Sequence, residues 1–553
     1  MGQSRTKTNP FFPSSFHINV DWAKVSFPLL LTISVVAIFF QLGARSLENQ
    51  CYIRYAEVAR EMIRSGDWIV PRLQGELFLH KPALIIWLIA LPSALVGKVT
   101  PLLARLPSAL SAVAIIGLTY FLGKRMFRDF RVGALAGVIL LSSKEFFWQA
   151  RTARADMALT LFILFSLTCF FLAYESSGKK RFFLFILFFV GMALGTLTKG
   201  PAVILFYLGP VILFLFFKKS LRVLLEPEFW WGWVVFLIIL LSWIAPYLSR
   251  VKISTVMEHF SLSEILSRPE PFYYYLVEFW PRFAPWSFFL PSAIFFLLRK
   301  NLDQRDAKLV LLCWIGIIIA LIFPIQNKTY RYFLPVFPAY SIILGAACKE
   351  NFLLVASYQK NWLTRSWEYS TRFCFFIFTV FFLTAPFLAW RFTHSFTAIL
   401  LSIGVFLLGG LLIGHGLRKG KMLSRVVVIS LLSLLTYETY YYFISRDDRA
   451  HSPFMQFAEN IKSRTDPEAL CFFDFAGEKA MLIDFYLDTV VPKFSGASDV
   501  VNFLTKNNEP HACLTSQQGF TQISQDLSPK SLEVYPITYY KKATYYLIIS
   551  KKE

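Results

Sequence analysis

Apolar residues in this chain run in unbroken stretches rather than alternating with polar ones. Many of these runs reach about 17–22 residues, the length a helix needs to cross the hydrocarbon of a bilayer. Taken in order they predict about thirteen crossings, near 25–43, 106–123, 132–149, 157–175, 182–198, 201–217, 229–248, 283–299, 309–325, 332–348, 372–390, 397–416 and 426–443. One run departs from the pattern. ALIIWLIALPSALVG, 83–97, carries Pro92 inside it and leads to Pro101. It is short for a crossing and suits a helix lying in the interface.

Loop charge tests that reading. If 83–97 does not cross, the loops GKRMFRDFR, SSGKKR, KKSLR, RKNLDQRDAK and RKGKMLSR all share one side with the basic N-terminus. The positive-inside rule makes that side cytoplasmic. If 83–97 does cross, every one of these loops flips away from the N-terminus and the rule fails throughout. The N-terminus reads as an uncleaved signal anchor, with Arg5, Lys7 and Lys24 ahead of its first apolar run and no small-residue cleavage site.

The same topology gathers the remaining polar segments on the outer side. They are the first loop, 44–105; the turns around Asp156 and Lys199; the loop 249–282; the turn QNKTYRY; and everything from 444 onward. Within the first loop, Tyr55, Val58, Ala59 and Met62 recur at helical spacing. Arg54, Glu57, Arg60, Glu61 and Arg64 fill the positions between them, which predicts a helix over 53–64 ended by Gly66. An amphipathic helix touching lipid headgroups explains that much. The extended piece WIVPRLQGELFLHKP behind it points instead to the rim of a cavity. Pieces such as ALCFFDF and ATYYLIIS, with helical patches between, predict a small soluble α/β domain over 444–553. The fold class is thus a polytopic α-helical membrane protein, with a transmembrane domain over 1–443 and a C-terminal α/β domain.

Composition agrees with this picture. Of 553 residues 56% are hydrophobic and 18% aromatic, too much apolar side chain for a globular surface to cover. The net charge of +21 sits largely in short loops, so it sets orientation and does not imply nucleic acid. Seven cysteines lack CxxC spacing, and Cys471 and Cys513 are able to pair if their compartment is oxidising. No internal repeat of the kind found in secondary transporters is present.

The outer face carries the candidate chemistry. Asp156 ends a loop beside Arg151 and Arg154, and Lys199 precedes a Gly-Pro break. The loop 249–282 adds Glu258, His259, Arg268, Glu270 and Tyr273-Tyr274-Tyr275, and the last turn adds Lys328 and Arg331. Each has an ordinary alternative as a snorkelling cation, a belt aromatic or a balanced helix end. Together they place cations and carboxylates on one side of one membrane. Lys and Arg neutralise a lipid-linked phosphate or pyrophosphate. Carboxylates activate a hydroxyl or stabilise an oxocarbenium-like sugar. That is the chemistry of a transferase that uses a polyprenyl-phosphate sugar.

The order RYAEVAREMIRSGDWIVPRLQGELFLHKP, ADMALTLF, LTKGP, PFYYYLVEFWPRFAPWSFFLP, KTYRYFLPVFPAY resembles the integral-membrane, lipid-dependent glycosyltransferases of the GT-C class. It looks closest to the aminoarabinose transferase group, which is related to protein O-mannosyltransferases. The resemblance runs through about 25–345. It implies juxtamembrane helices in the first outer loop and a periplasmic C-terminal domain on an inner-membrane, multi-pass chain. It further implies an undecaprenyl-phosphate sugar donor and a lipid or glycan acceptor such as lipid A. By this resemblance Arg54, Lys81, Lys199 and Arg331 bind the donor phosphate, Asp156 is a catalytic acid position, and Tyr55, Tyr274 and Tyr275 support them.

Two positions depart from the family pattern. Cys51-Tyr52 stands where relatives carry an acidic pair, which leaves Glu48 or Asp156 alone to act as base. His80 replaces the acid before the lysine-proline, an acid that binds a divalent metal in relatives. His80 with Glu48 or His259 is therefore a candidate site for zinc or magnesium. The alternatives are a protein O-mannosyltransferase-like enzyme, and a lipid-linked sugar transporter or flippase.

Overall fold

The computed structural model describes residues 21–47, 50–255, 270–299, 304–325, 328–356, 362–393, 396–418, 422–451, 453–475, 478–505, 511–526, 532–539 and 543–550. Glu48 and His259 lie outside the described residues. The N-terminal half is helical. Its helices are α1 (Trp22–Phe39), α2 (Gln50–Ser65), α3 (Leu84–Val96), α4 (Pro101–Phe127), α5 (Phe130–Leu141), α6 (Lys144–Ala150), α7 (Asp156–Tyr174), α8 (Gly178–Lys199), α9 (Ile204–Phe217) and α10 (Pro227–Leu248). There follow α11 (Tyr274–Arg282), α12 (Leu290–Leu298), α13 (Arg305–Ile322), α14 (Phe337–Ala356), α15 (Trp362–Thr393), α16 (Phe396–Arg418) and α17 (Met422–His451).

Among the described residues six helices are long and apolar enough to cross a membrane, or seven if a pair bent by 110° counts as one. Shorter apolar helices, among them Leu84–Val96, Phe130–Leu141 and Pro201–Phe217, accompany them. The single crossing expected over 132–149 is broken at Ser142-Ser143 into α5 and α6. The expected outer loop 249–282 also ends earlier, because α11 is helical from Tyr274 and turns by 110° into the next segment. Outward-facing α10 leaves Ile238 62% exposed and Trp230 57% exposed, a surface that suits lipid.

Local signals explain where these helices start and stop. Thr100 caps α4 by accepting the Leu103 N–H at 3.2 Å, with Pro101 in the first turn. Helices α4 and α5 approach closely at Gly133, where a β-carbon would sit 2.3 Å from the Tyr120 carbonyl oxygen. Only a residue without a side chain fits there. Helices α7 and α8 form an antiparallel hairpin joined near Ser176-Ser177. The start of one and the end of the other therefore share an end of the bundle. Asp156 opens α7 and Lys199 closes α8, each with the sign of charge its helix end favours.

In the first loop α2 is followed by a two-stranded hairpin, β1 (Arg72–Leu73) and β2 (Glu76–Leu77). Gln74 and Gly75 at its tip have φ of +57° and +81°, the pair of left-handed conformations that a tight hairpin requires. Helix α3, only thirteen residues long with Pro92 inside, corresponds to the short run at 83–97.

The C-terminal unit contains α18 (Pro453–Lys462), α19 (Glu478–Leu487), α20 (Ala497–Leu504) and α21 (Gln517–Asp526). Its strands are β3 (Leu470–Phe473), β4 (Lys493–Phe494), β5 (Ala512–Ser516), β6 (Leu532–Tyr539) and β7 (Ala543–Ser550), in sheet order β4-β3-β5-β7-β6. Strands β3, β4 and β5 are parallel, and β7 pairs antiparallel with β5 and β6. Cys471 and Cys513 face each other in register on β3 and β5 as buried thiols. One hydrophobic core joins this unit to the first loop. Ile53, Ala56, Met62 and Phe78 pack in the same cluster as Phe457, Phe472, Ile483 and Leu547.

Candidate functional site

The hairpin of α7 and α8 brings Lys199 Nζ to 2.5 Å from Asp156 Oδ1. From a third direction comes the short 3-10 helix Tyr330–Val336, about two turns long, that precedes α14. Its Arg331 places Nε 3.6 Å from Asp156 Oδ2. Both oxygens of a buried carboxylate are thus claimed by cations. Of its neighbours in sequence, Arg154 adds a further positive charge that acts on the same carboxylate. Arg151 turns away to Glu438 Oε1 at 2.7 Å, with its guanidinium 3.7 Å from the Tyr441 ring centroid.

Lys81 enters from the first loop, between β2 and α3, and is half-buried. Burial pushes its ammonium down to about 8, and Lys199, Arg331 and Arg54 push it the same way against the pull of Asp156. That mutual influence places Lys81, Arg54, Lys199, Arg331 and Asp156 in one cluster. Four cations around a single carboxylate leave a surplus of positive charge that a phosphate or pyrophosphate can neutralise. All five were singled out from the sequence.

The tyrosines have supporting positions. The Tyr275 ring is buried against Phe323 and Phe333, and its hydroxyl accepts the Thr329 N–H at 3.4 Å. Tyr274 meets the backbone of Tyr330. Both therefore brace the turn that delivers Arg331 and lie behind the charged cluster. Tyr55 stands edge-on to Phe78 at 6.3 Å between centroids, and Phe78 meets His80 at 5.6 Å. His80 is exposed, and among the described residues no group of three His, Cys, Asp or Glu side chains is placed to hold a metal.

Sequence reasoning passed over two contributors. Tyr332 lies beneath Lys199, with Nζ 4.5 Å from its ring centroid, and adds a cation–π contact to the ion pair. Arg282 stacks 3.6 Å from the Tyr330 ring centroid while holding Glu145 at 3.2 Å and Glu278 at 2.7 Å. The alternation Tyr-Arg-Tyr in KTYRYFLP was the available signal for Tyr332. Nothing local marked Arg282.

The polar face of α2 also departs from expectation. Glu57, Arg60 and Glu61 do not meet lipid headgroups; they are buried under the C-terminal unit. Arg60 pairs with Glu57, donates to the Thr489 carbonyl at 3.1 Å and reaches Asp488 Oδ1 at 3.4 Å. Burial raises the Glu57 carboxyl to about 7 and the Asp484 carboxyl to about 6.

Known proteins are similar to this chain in sequence and fold. A family model described as dolichyl-phosphate-mannose-protein mannosyltransferase matches residues 46–261. The chain is 30% identical over 324 residues to an uncharacterized protein of Aquifex aeolicus (strain VF5), covering 57% of this chain and 62% of that one. It is 25% identical over 343 residues to undecaprenyl phosphate-alpha-4-amino-4-deoxy-L-arabinose arabinosyl transferase 1 of Pseudomonas fluorescens (strain Pf0-1), covering 60% and 59%. The match thus spans about three-fifths of the length of these curated relatives. The structure of ArnT from Cupriavidus metallidurans bound to undecaprenyl phosphate superimposes with a TM-score of 0.75 at 20% identity, over 96% of this chain and 98% of that one. In sequence, then, this chain is similar to integral-membrane, lipid-dependent glycosyltransferases, the aminoarabinose transferases among them, and it shares the fold of ArnT.

Proposed function

We propose that the chain is a glycosyltransferase. It moves a sugar from an undecaprenyl-phosphate donor to a lipid or glycan acceptor such as lipid A, at the outer face of the inner membrane. The observation that carries this reading is the convergence of Lys81, Arg54, Lys199 and Arg331 around Asp156 at one end of the helical bundle. The phosphate of the donor is the leaving group. Its bond to the anomeric carbon breaks with the electron pair going to the phosphate oxygen, whose growing charge the four cations stabilise. An acceptor oxygen attacks the same carbon.

Asp156 is the counter-ion that holds Lys199 and Arg331 in place. With both oxygens engaged, it is a poor base. An acceptor that is itself a phosphate is already anionic and needs no base, which accommodates Cys51-Tyr52 and favours a lipid phosphate over a sugar hydroxyl. Glu48 remains the candidate base for a hydroxyl acceptor. About thirteen crossings, a cytoplasmic N-terminus and a periplasmic C-terminal unit complete the arrangement, with α3 lying in the interface.

Mass spectrometry of membrane glycolipids with and without the protein tests the proposal. A mass difference of one sugar on a lipid is expected. An unchanged lipid profile with the protein present rejects it. The family match over 46–261 favours one second reading, transfer of mannose to protein. A sugar appearing on protein in the same membranes would select it.

A further inference from the structure

One of the polar contacts between the first loop and the C-terminal unit falls at the tip of the β1–β2 hairpin. Glu61 of α2 accepts the backbone N–H groups of Gln74 at 2.5 Å and Gly75 at 3.0 Å, so a carboxylate sits in the small nest that two left-handed residues create. On the other side the Gln74 side-chain amide donates to Asp484 Oδ2 at 2.9 Å. Asp484 is fully buried in α19, and its second oxygen accepts the Val491 N–H at 3.1 Å. The tip is therefore held between a carboxylate of its own loop and one that lies 410 residues away in sequence.

From the tip, β2 leads directly toward the site. Phe78 is buried, donates its N–H to the Pro71 carbonyl at 2.9 Å and packs edge-on to Tyr55. Three residues further on comes Lys81. Helix α2, which holds the tip through Glu61, also carries Arg54. Arg60 pins this helix to Asp488 and Thr489 of the C-terminal unit. The Tyr486 hydroxyl meanwhile accepts the Leu47 N–H at 3.2 Å, just ahead of α2.

We propose that the C-terminal unit forms part of the donor site, with Asp484 and Gln74 as positioning residues that fix the hairpin delivering Lys81. This rests on the reading of the Lys81 cluster as a donor-phosphate site. The physical reason is geometric. Lys81 stands in a bend four residues past the end of β2, and the two-stranded ladder that leads to it is too small to hold its place alone. A hairpin clamped at its tip transmits a fixed position along its strand, and the clamp comes from the far end of the chain.

Binding of undecaprenyl phosphate to the full chain in detergent tests this. Gln74→Gly removes the side-chain bond to Asp484 yet suits the left-handed backbone at that position and leaves the backbone bonds to Glu61. It is expected to weaken binding roughly fivefold, the range for residues that act on a site through others. Gln74→Asn, one methylene short of Asp484 and equally at ease at positive φ, is expected to act in the same direction. Asp484→Asn is expected to stay within about twofold of wild type, because the Gln74 amide can turn over and accept from the new donor. In a Lys81→Ala background the Gln74→Gly penalty should shrink to under about twofold, since coupled residues are not additive. Unchanged binding in Gln74→Gly, or an equal loss with and without Lys81, overturns the positioning role alone. Wild-type binding no stronger than that of Lys81→Ala would overturn the donor-site reading and this inference with it.

Discussion

Replacing Lys81 with arginine keeps a cation in the cluster while removing an amine whose charge burial has made sensitive to pH. Half-buried and influenced by Lys199, Arg331 and Arg54, the free Lys81 ammonium is held down to about 8, chiefly by desolvation. A bound phosphate supplies the missing negative charge and draws the amine back toward the ordinary lysine value of about 10.5. Sites that gain a proton preference on binding lose affinity as pH rises through the pKa of the free form. With values of about 8 free and about 10.5 bound, the dissociation constant for undecaprenyl phosphate grows roughly eightfold between pH 7.5 and 9. Above pH 7.5 the phosphate monoester has already lost its second proton, so its own titration stays out of the window.

The assay is equilibrium binding of undecaprenyl phosphate to purified protein across that range, for wild type, Lys81→Arg and Lys81→Met. Wild type should weaken with the stated slope. Lys81→Arg should be nearly flat, because guanidinium stays charged, and Lys81→Met should be weak and flat. A wild-type curve without slope to pH 9.5 would mean that Lys81 is not confined among like charges. A slope that survives in Lys81→Arg would assign the titration to another group. Either result refutes the reasoning.

Asp156→Asn removes the shared counter-ion of Lys199 and Arg331, leaving the cations to repel one another. Sugar transfer should fall by at least about tenfold, in line with the cost of breaking a buried ion pair, and undiminished transfer in membranes would discard the organising role. Glu57 and Asp484 are acids raised by burial to about 7 and about 6, above their unfolded values, so their ionised forms are costly in the fold. That cost is present above these values and is relieved as pH falls through them. Thermal stability should therefore rise by about 1–3 kcal/mol from pH 8 to pH 5.5, and Glu57→Gln should flatten the profile. Gly133→Ala forces a methyl group against the Tyr120 carbonyl and should lower stability by about 1–3 kcal/mol, read as a drop in Tm.

How much of this was legible in sequence depends on the distance over which each contact forms. Asp156 and Lys199 could be placed together because two consecutive spans, joined by a short basic turn, must return the chain to the side it left. Arg331 and Lys81 followed from the same parity argument. Their partners did not, since charge pattern assigns a residue to a side of the membrane but not to a neighbour. Arg151 shows the difference: it adjoins Asp156 in sequence, on the same side, and pairs with Glu438. Helix α2 shows it more sharply. Its spacing correctly predicted a helix with one apolar and one charged face, and lipid headgroups were a sufficient explanation for the charges. Burying Glu57, Arg60 and Glu61 needs complementary groups, and those stand at the end of α19 and just past it, more than 400 residues later, in a region that read only as alternating strands and helices. Amphipathic periodicity measures that a face is polar; it carries no information on whether water, lipid or another polar surface covers it. A helix whose charges alternate in sign, like Arg54-Glu57-Arg60-Glu61-Arg64, can satisfy them against a matching set elsewhere in the chain. The balance of signs on α2 is therefore the trace that the second surface left in the first loop's own sequence.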